Sequence, residues 1–386
     1  MVREPPKSSC KMEMELDRIS DLPDNIIEQI LSNLSILDAA RTCIFSSKWR
    51  YRWNMLPILD FTQLSYQLMV EGCMVPNKLV SNKLVSIIDQ VLLLHVGPLH
   101  KFRLQEPLLL NDSAMDRWIR HLSRSPIKDI TFGNCREPDQ YYRVPSSLFA
   151  CQSLIDLELI NCSLKPPSSF KGFINLKSLD FRHVNLAQDA FENMVSSCPM
   201  LETLKLNNVR YLAAGVELGV LLKVKPCIHL TYLEIEINLN DWEESLTALC
   251  ILSSAPNLQE LIIDVHHLSQ EETITGKETN FGEDEWQNRL MFTKLQLARV
   301  IGVSTTKSDM DFIKFLLSNS PVLERMVVMS ASDDVELELF KKVLALNRAS
   351  SQAQIICLDH QWLAHLSFIL RSFFAKYQRD VVSLPG

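Results

Sequence analysis

Glycine is scarce in this chain, which has 10 glycines among its 386 residues, against an average usage of about 7%. The sequence contains no Gly-rich phosphate loop followed by Lys-Ser or Lys-Thr and no Gly-x-Ser-x-Gly nucleophile elbow. No apolar run reaches the roughly 18 residues that a membrane-spanning helix needs. Basic residues are not in excess, since the formal net charge is −7. These absences argue against a phosphate-loop enzyme, an elbow-type serine hydrolase, a membrane protein and a nucleic-acid-binding protein.

Cysteines are numerous but isolated, and no Cys-x-x-Cys pair occurs among them. Metal knuckles and dithiol redox motifs need such close pairs. The first residues, MVREPP, do not resemble the apolar core of a secretory signal. We therefore expect reduced, mostly buried thiols in an intracellular protein of the cytoplasm, the nucleus or both. The ten cysteines are Cys10, Cys43, Cys73, Cys135, Cys151, Cys162, Cys198, Cys227, Cys250 and Cys357.

Histidines lie near carboxylates or near each other at two places, but neither place has a recognised metal-ligand spacing. His266 and His267 precede Glu271-Glu272, and His360 and His365 are five residues apart, whereas a zinc helix has the pattern His-Glu-x-x-His. We expect His266 and His267 to be exposed loop residues. The sequence predicts no metal site, no cofactor and no catalytic residue.

Residues 1–15 are polar, contain Pro5 and Pro6, and are predicted to be a disordered lead-in. The following segment, 21–34, has the pattern of an amphipathic helix. Apolar residues at positions 26, 27, 30, 31 and 34 share one face, and Pro23 and Asp24 suit the first turn. Ser35 and Asp38 then form a capping-box pattern ahead of a second helix.

A third short helix is expected after Ser46, which would cap it, with Trp49 and Trp53 four residues apart on one face. Three short helices have too small a core to be stable alone, so this module should bury apolar surface on something else. The stretch 41–53 also carries four basic residues between aromatic ones. Taken alone this pattern is typical of a weak nucleic-acid patch, which is poorly supported in an acidic protein.

Internal repeats dominate the sequence from about residue 84. Segments 194–206, 251–263 and 316–328 align without gaps, and each has the pattern of a helix end, a proline that stops the helix, and a short strand. Residues 154–164 fit the leucine-rich-repeat template outright. The repeat starts at positions 127, 154, 176, 201, 230 and 258 are separated by 22 to 29 residues.

Such spacing predicts an α/β solenoid of parallel strands with helical or irregular returns, in which stacked repeats share a continuous core. The alternative is a generic α/β sheet that shows Leu-x-x-Leu-x-Leu by chance. The segment 269–289 is expected to be an acidic insertion between repeats, because it carries six acidic residues against Lys277 and Arg289. Residues 359–386 are expected to form a helical tail, either a cap over the open edge of the last repeat or an unstable extension.

The N-terminal module resembles the F-box of plant F-box/leucine-rich-repeat proteins. The resemblance rests on residues 17–24 (DRISDLPD), 30–32 (ILS), 38–42 (DAART) and 47–53 (SKWRYRW). Residues 91–104 resemble the first repeat of that group, and 292–351 resemble the FBD domain that many members carry. The resemblance implies a lead-in (1–15), an F-box of three helices (16–60), leucine-rich repeats (84–290), FBD-like final repeats (291–358) and the tail (359–386).

The resemblance also implies a function. An F-box of this kind binds a Skp-type adaptor, the adaptor binds a cullin, and the cullin brings a ubiquitin-charged conjugating enzyme to a protein substrate that the repeats select. Such a receptor is not an enzyme and acts by proximity. The alternative is a non-degradative scaffold that uses the same repeats to hold a partner. By similarity, the adaptor-binding residues are Leu22, Pro23, Ile26, Ile27, Ile30, Leu31, Leu34, Leu37, Ile44 and Trp49, and sequence cannot divide them between the core of the module and its interface.

Overall fold

A computed structural model describes residue 19 and residues 22–71, 77–106, 111–134, 141–186, 188–209, 226–267 and 290–358. The expected lead-in (1–15), the acidic insertion (269–289) and the C-terminal tail (359–386) lie outside the described residues.

The N-terminal module starts with two α-helices, α1 (Asp24–Ser32) and α2 (Ile36–Arg41), followed by 3₁₀ turns at Thr42–Ile44 and Trp53–Met55. Pro23 is the N-cap of α1. The capping box of α2 is confirmed, because the Asp38 backbone N–H donates to Ser35 Oγ at 3.2 Å and Ser35 Oγ donates to Asp38 Oδ2 at 2.8 Å. The first bond satisfies a backbone donor that the start of a helix otherwise leaves unpaired, and the second joins the two side chains.

The third helix of the module is not a regular α-helix, and in this detail the expectation was wrong. Residues 47–52 form turns, and Ser46 Oγ is buried without a hydrogen-bond partner instead of capping a helix. Trp49 is buried while Trp53 is partly exposed. Tertiary contacts replace the helix, since Trp49 Nε1 donates to the Ile19 carbonyl at 3.2 Å and Lys48 Nζ donates to the Leu22 carbonyl at 2.6 Å. Tryptophan and tyrosine have modest helix propensity, so these distant acceptors decide the local shape.

The repeats form one parallel sheet, and the α/β solenoid expected from the sequence is confirmed. Neighbouring strands pair in the order of the chain, and each crossover returns along the other side of the sheet. The strands of this sheet are β1 (Ile58–Asp60), β2 (Lys101–Glu106), β3 (Asp129–Asn134), β5 (Asp156–Ile160), β7 (Ser178–Arg182), β9 (Thr203–Asn207), β10 (Tyr232–Ile237), β11 (Glu260–Val265), β12 (Leu297–Val303), β13 (Arg325–Ser330) and β14 (Gln354–Leu358). A small second sheet contains β4 (Tyr142–Arg143), β6 (Cys162–Leu164) and β8 (Asn185–Leu186).

Helices supply most of the returns between strands. They are α3 (Leu64–Glu71), α4 (Asn77–Leu94), α5 (Asp112–Leu122), α6 (Gln188–Ser196), α7 (Trp242–Ser254), α8 (Lys307–Asn319) and α9 (Asp333–Leu344), with a 3₁₀ turn at Ser146–Ala150. Pro199, Pro256 and Pro321 each lie between a helix end and the next strand, as the aligned segments predict. Proline cannot continue a helix, so it fixes this joint.

The leucine positions of the template form the core. In β5, β9, β10 and β11 every second residue is buried, and the strand residues between them, partly or fully exposed, make up what we call the open face of the sheet. This alternation is expected of strands that bury one side. The buried template residues include Leu154, Leu157, Leu159, Cys162, Leu164, Leu176, Leu179, Phe181, Leu201, Leu204 and Leu206.

The N-terminal module is continuous with the solenoid, because the sheet begins at β1, before residue 84. Strand β1 pairs in parallel with β2. A side chain at Gly97 would meet the Met55 carbonyl oxygen at 2.7 Å, so this glycine lets the two parts of the chain touch. Aromatic rings then connect successive repeats, with centroid distances of 5.6 Å for Phe61–Phe102 and 6.5 Å for Phe102–Phe132.

Candidate functional site

Helix α1 carries two adjacent apolar stripes with different exposure. Ile27 and Leu31 are fully buried in the core of the module. Ile26 and Ile30, four residues apart on the helix, and Leu34, two residues beyond its end, keep 37%, 38% and 39% of their surface exposed. The structure thus separates residues that the sequence presents as one apolar face.

The other expected adaptor-binding residues divide in the same way. Trp49 is buried, Leu22 and Leu37 are partly buried against the core, and Pro23 is exposed. Ile44 is the most accessible of the set, with 80% of its surface exposed. Burying such an isoleucine in a partner contributes about 2 kcal/mol, because the gain scales with the apolar area removed from water.

Sequence reasoning missed Phe45, which follows Ile44 and is 55% exposed. Its ring meets Trp49 edge-on at a centroid distance of 6.0 Å. The signal was present as a second apolar residue directly after Ile44. Ile36 is also absent from the expected set, and it is buried.

Ion pairs hold the start of α1 against the turns at 47–52. Asp24 Oδ1 lies 2.7 Å from Arg52 Nη2 and 4.0 Å from Lys48 Nζ. Arg41 pairs with Asp38 at 2.9 Å. Three of the four basic residues in the 41–53 stretch therefore make contacts within the module, and the fourth, Arg50, is exposed.

The open face of the sheet is polar, and ion pairs join side chains of neighbouring strands across it. Lys101 pairs with Asp129 on β2 and β3. Arg182 Nη2 on β7 lies 3.3 Å from Glu158 Oε1 on β5. These pairs are partly exposed, so each contributes little stability, and the face as a whole presents side chains to solvent.

The described residues include no group of three or more His, Cys, Asp or Glu side chains that could hold a metal ion. The expectation of exposed loop residues is confirmed for His267 but wrong for His266, which is partly buried. His266 Nδ1 is buried, and His267 Nε2 lies 3.1 Å from the Gly302 carbonyl and 3.5 Å from a carboxylate oxygen of the fully buried Asp309. Glu271, Glu272, His360 and His365 lie outside the described residues.

The seven cysteines in the described ranges are all free thiols, five of them buried. Among the helices that the structure describes, none combines the length and apolar character needed to cross a membrane.

Two family models match this chain. A model described as F-box domain matches residues 19–61. A model described as FBD-associated F-box protein At5g56370, LRR repeats, matches residues 115–275. Both descriptions name interaction modules and not enzymes.

Curated relatives from Arabidopsis thaliana agree with these models. The F-box/FBD/LRR-repeat protein At1g13570 is 30% identical over an alignment that covers 89% of this chain and 99% of the relative. The putative F-box protein At3g58860 is 26% identical over 51% of this chain and 43% of the relative. The FBD-associated F-box protein At5g56370 is 29% identical over 50% of this chain and 43% of the relative. The chain therefore spans nearly all of the first relative but less than half the length of the other two.

Proposed function

The chain belongs to the F-box/FBD/LRR-repeat family, and on this premise we propose that it is the substrate-recognition subunit of a Skp-cullin-F-box type ubiquitin ligase. F-box domains generally bind Skp-type adaptors, and the repeats are left to bind a protein substrate. The proposal keeps the division into an F-box over 16–60, repeats over 84–290 and FBD-like final repeats over 291–358.

One observation supports the proposal above the others: the F-box keeps an exposed apolar stripe although its core is already filled. Ile26, Ile30 and Leu34 are about three-eighths exposed and Ile44 is four-fifths exposed, while Ile27 and Leu31 are fully buried. Apolar surface of this kind on a small module marks an interaction site. We propose that Pro23, Ile26, Ile30, Leu34 and Ile44 contact the adaptor, and that Ile27, Leu31 and Trp49 support them from the core.

The test measures how tightly the full chain binds the adaptor when it carries both Ile30→Glu and Ile44→Glu. Both side chains are exposed, so the variant should fold, whereas Leu22 is partly buried and its carbonyl holds Lys48. We expect affinity for a Skp-type adaptor, measured by calorimetry, to fall at least about 100-fold, since charges would be forced into an apolar contact.

The matched control is Ile174→Glu with Ile228→Glu, which changes two isoleucines of the repeats that are 55% and 53% exposed. This control should bind the adaptor like the unchanged chain. Unaltered adaptor binding by the F-box variant would refute the proposed contact.

The degradative role has its own test. In a reconstituted reaction, ubiquitin transfer should require both adaptor and cullin, because the proposed receptor acts by bringing the substrate close to a conjugating enzyme. Transfer that persists without them would contradict the non-catalytic role. If the half-life of a bound partner does not change when residues 16–60 are deleted, that result would instead support the scaffold alternative.

A further inference from the structure

Among the described residues, no lysine or arginine pairs with the carboxylates Glu236 and Asp264 at the carboxyl ends of β10 and β11, on the open face of the sheet. Glu236 and Asp264 are neighbours in the strand register. The nearby bases are engaged elsewhere, since Lys205 Nζ lies 3.4 Å from Glu234 Oε2 and Arg299 Nη1 lies 3.2 Å from Glu260 Oε1. The His266 ring lies near the pair, with Nδ1 4.0 Å from Glu236 Oε1.

The charge balance at this place is unfavourable to the folded chain alone. The Asp264 side chain is exposed, but the desolvation of its carboxylate and the charge of Glu236 raise its pKa. Burial also raises the pKa of Glu244, although its Oε2 accepts the Asn238 backbone N–H at 2.7 Å. A raised carboxylate pKa means that desolvation and like charges outweigh the stabilising partners. A cation placed here would relieve that cost.

A broken aliphatic strip adjoins these carboxylates on the same face. Ile301 is the register neighbour of Asp264 on β12. On the row two residues earlier lie Ile262, Val327 and Ile356, with Arg299 of β12 between Ile262 and Val327. All four aliphatic side chains are partly exposed. The strands here therefore present apolar surface next to negative charge.

The opposite ends of the same strands have a different character. A groove of about 670 Å³ crosses the amino ends of β10 to β14, where Tyr232, Leu297 and Arg325 contribute to its lining. The open face is thus recessed at that end, and its lining carries Arg325 together with the carboxylates of Glu260 and Glu324.

We propose that the open face of β10 to β13 binds a substrate segment that carries lysine or arginine next to aliphatic side chains, with the basic group between Glu236 and Asp264 and the aliphatic groups on Ile262, Ile301 and Val327. The inference rests on the proposed function, since it names the kind of protein segment that the repeats select. Charge complementarity and the adjoining apolar strip together favour this occupant over a purely ionic one.

The test uses the full chain in complex with its adaptor and three labelled 12-residue peptides, built from repeats of Lys-Ser-Leu, Glu-Ser-Leu and Lys-Ser-Ser. Fluorescence anisotropy should show the tightest binding for Lys-Ser-Leu. Asp264→Lys should weaken that binding about tenfold, and Ile301→Ser should weaken it while leaving binding of Lys-Ser-Ser unchanged.

The matched control is Asp334→Lys, which makes the same change in net charge at an exposed carboxylate of α9. This variant should bind the peptides like the unchanged chain. Equal loss in Asp264→Lys and Asp334→Lys, or equal affinity for the three peptides, would overturn the inference.

Adaptor binding separates failure of the inference from failure of the proposed function. A chain that keeps the adaptor but shows no preference for Lys-Ser-Leu refutes only the docking surface. A chain that prefers Lys-Ser-Leu but binds no adaptor refutes the ligase role and leaves the docking surface standing.

Discussion

The described thiols show how burial controls the chemistry of single residues in this solenoid. Burial raises the pKa of Cys151 to about 12 and that of Cys198 to about 11. Neither side chain reaches solvent, since both are buried between repeats. A thiol must lose its proton to act as a nucleophile, so these cysteines are structural.

Alkylation tests this at the residue scale. At pH 7.5, Cys151 and Cys198 should react with iodoacetamide at least about 100-fold more slowly in the native chain than after unfolding, because the thiolate fraction falls tenfold for each unit of pKa. Peptide mapping by mass spectrometry measures each site, and the partly exposed Cys43 is the internal reference. Native labelling of Cys151 as fast as that of Cys43 would contradict the structure.

At this scale, the exposed fraction of each side chain also determines which F-box residues can contact the adaptor. Ile30 and Leu31 are sequence neighbours of similar size, yet one is 38% exposed and the other fully buried. An acidic substitution at Leu31 would therefore unfold the module, whereas the same change at Ile30 reports on binding alone.

At the scale of elements, three repeats share the same backbone turn directly after a strand, and we call this turn the corner. Asn161, His183 and Asn208 directly follow β5, β7 and β9 and have positive φ angles of 56°, 51° and 50°. The Asn161 N–H donates to the Arg182 carbonyl at 3.0 Å, and the His183 N–H donates to the Asn207 carbonyl at 2.9 Å. The left-handed conformation orients these backbone N–H groups toward the next repeat. Asparagine tolerates this conformation better than most residues.

Substitution at one corner tests its role. Asn161→Val should lower the free energy of unfolding by about 1–2 kcal/mol, because a β-branched residue is strained at positive φ. Asn161→Gly should be much milder, since glycine adopts this conformation freely. Asn185→Val in β8 is a matched control without positive φ. Urea denaturation measures all three variants, and an equal effect of valine at positions 161 and 185 would argue against strain at the corner.

Over the whole molecule, the F-box and repeats share one core. β1 extends the sheet of the repeats, and the Phe61, Phe102 and Phe132 rings carry packing from the F-box side into the solenoid. In a repeat array each unit is stabilised mainly by its neighbours. Disturbing the first repeats should therefore affect the F-box as well.

Phe102→Ala tests this coupling. Removing a fully buried ring should lower the free energy of unfolding by about 3–5 kcal/mol. Hydrogen exchange should quicken in both α1 and β3, because both sides lose a common support. Phe45→Ala, at a ring that is 55% exposed, is the matched control and should leave exchange in β3 unchanged. Faster exchange confined to β2 and β3 in Phe102→Ala would show that the two parts fold independently.

Much of the fold was predictable because helices and strands have their own residue periods. The apolar positions of α1, the Ser35–Asp38 capping box, the leucines of the template and the proline joints are local patterns, and the structure confirms them. The corners at Asn161, His183 and Asn208 were also visible, as Asn or His one residue before a template position, but their conformation was not inferred. These features depend on residues close in sequence, whose preferences survive folding.

Only the tertiary structure decided what depends on distant residues. The turns at 47–52 follow from acceptors at Ile19 and Leu22, and the contact between His267 and Asp309 joins residues of two successive repeats. Which of the apolar F-box residues remain exposed depends on how the helices and turns of the module pack together. The register between strands brings Glu236, Asp264 and Ile301 side by side. A periodic pattern identifies the face of an element but not its neighbours, because those are set by the packing of segments far apart in the chain.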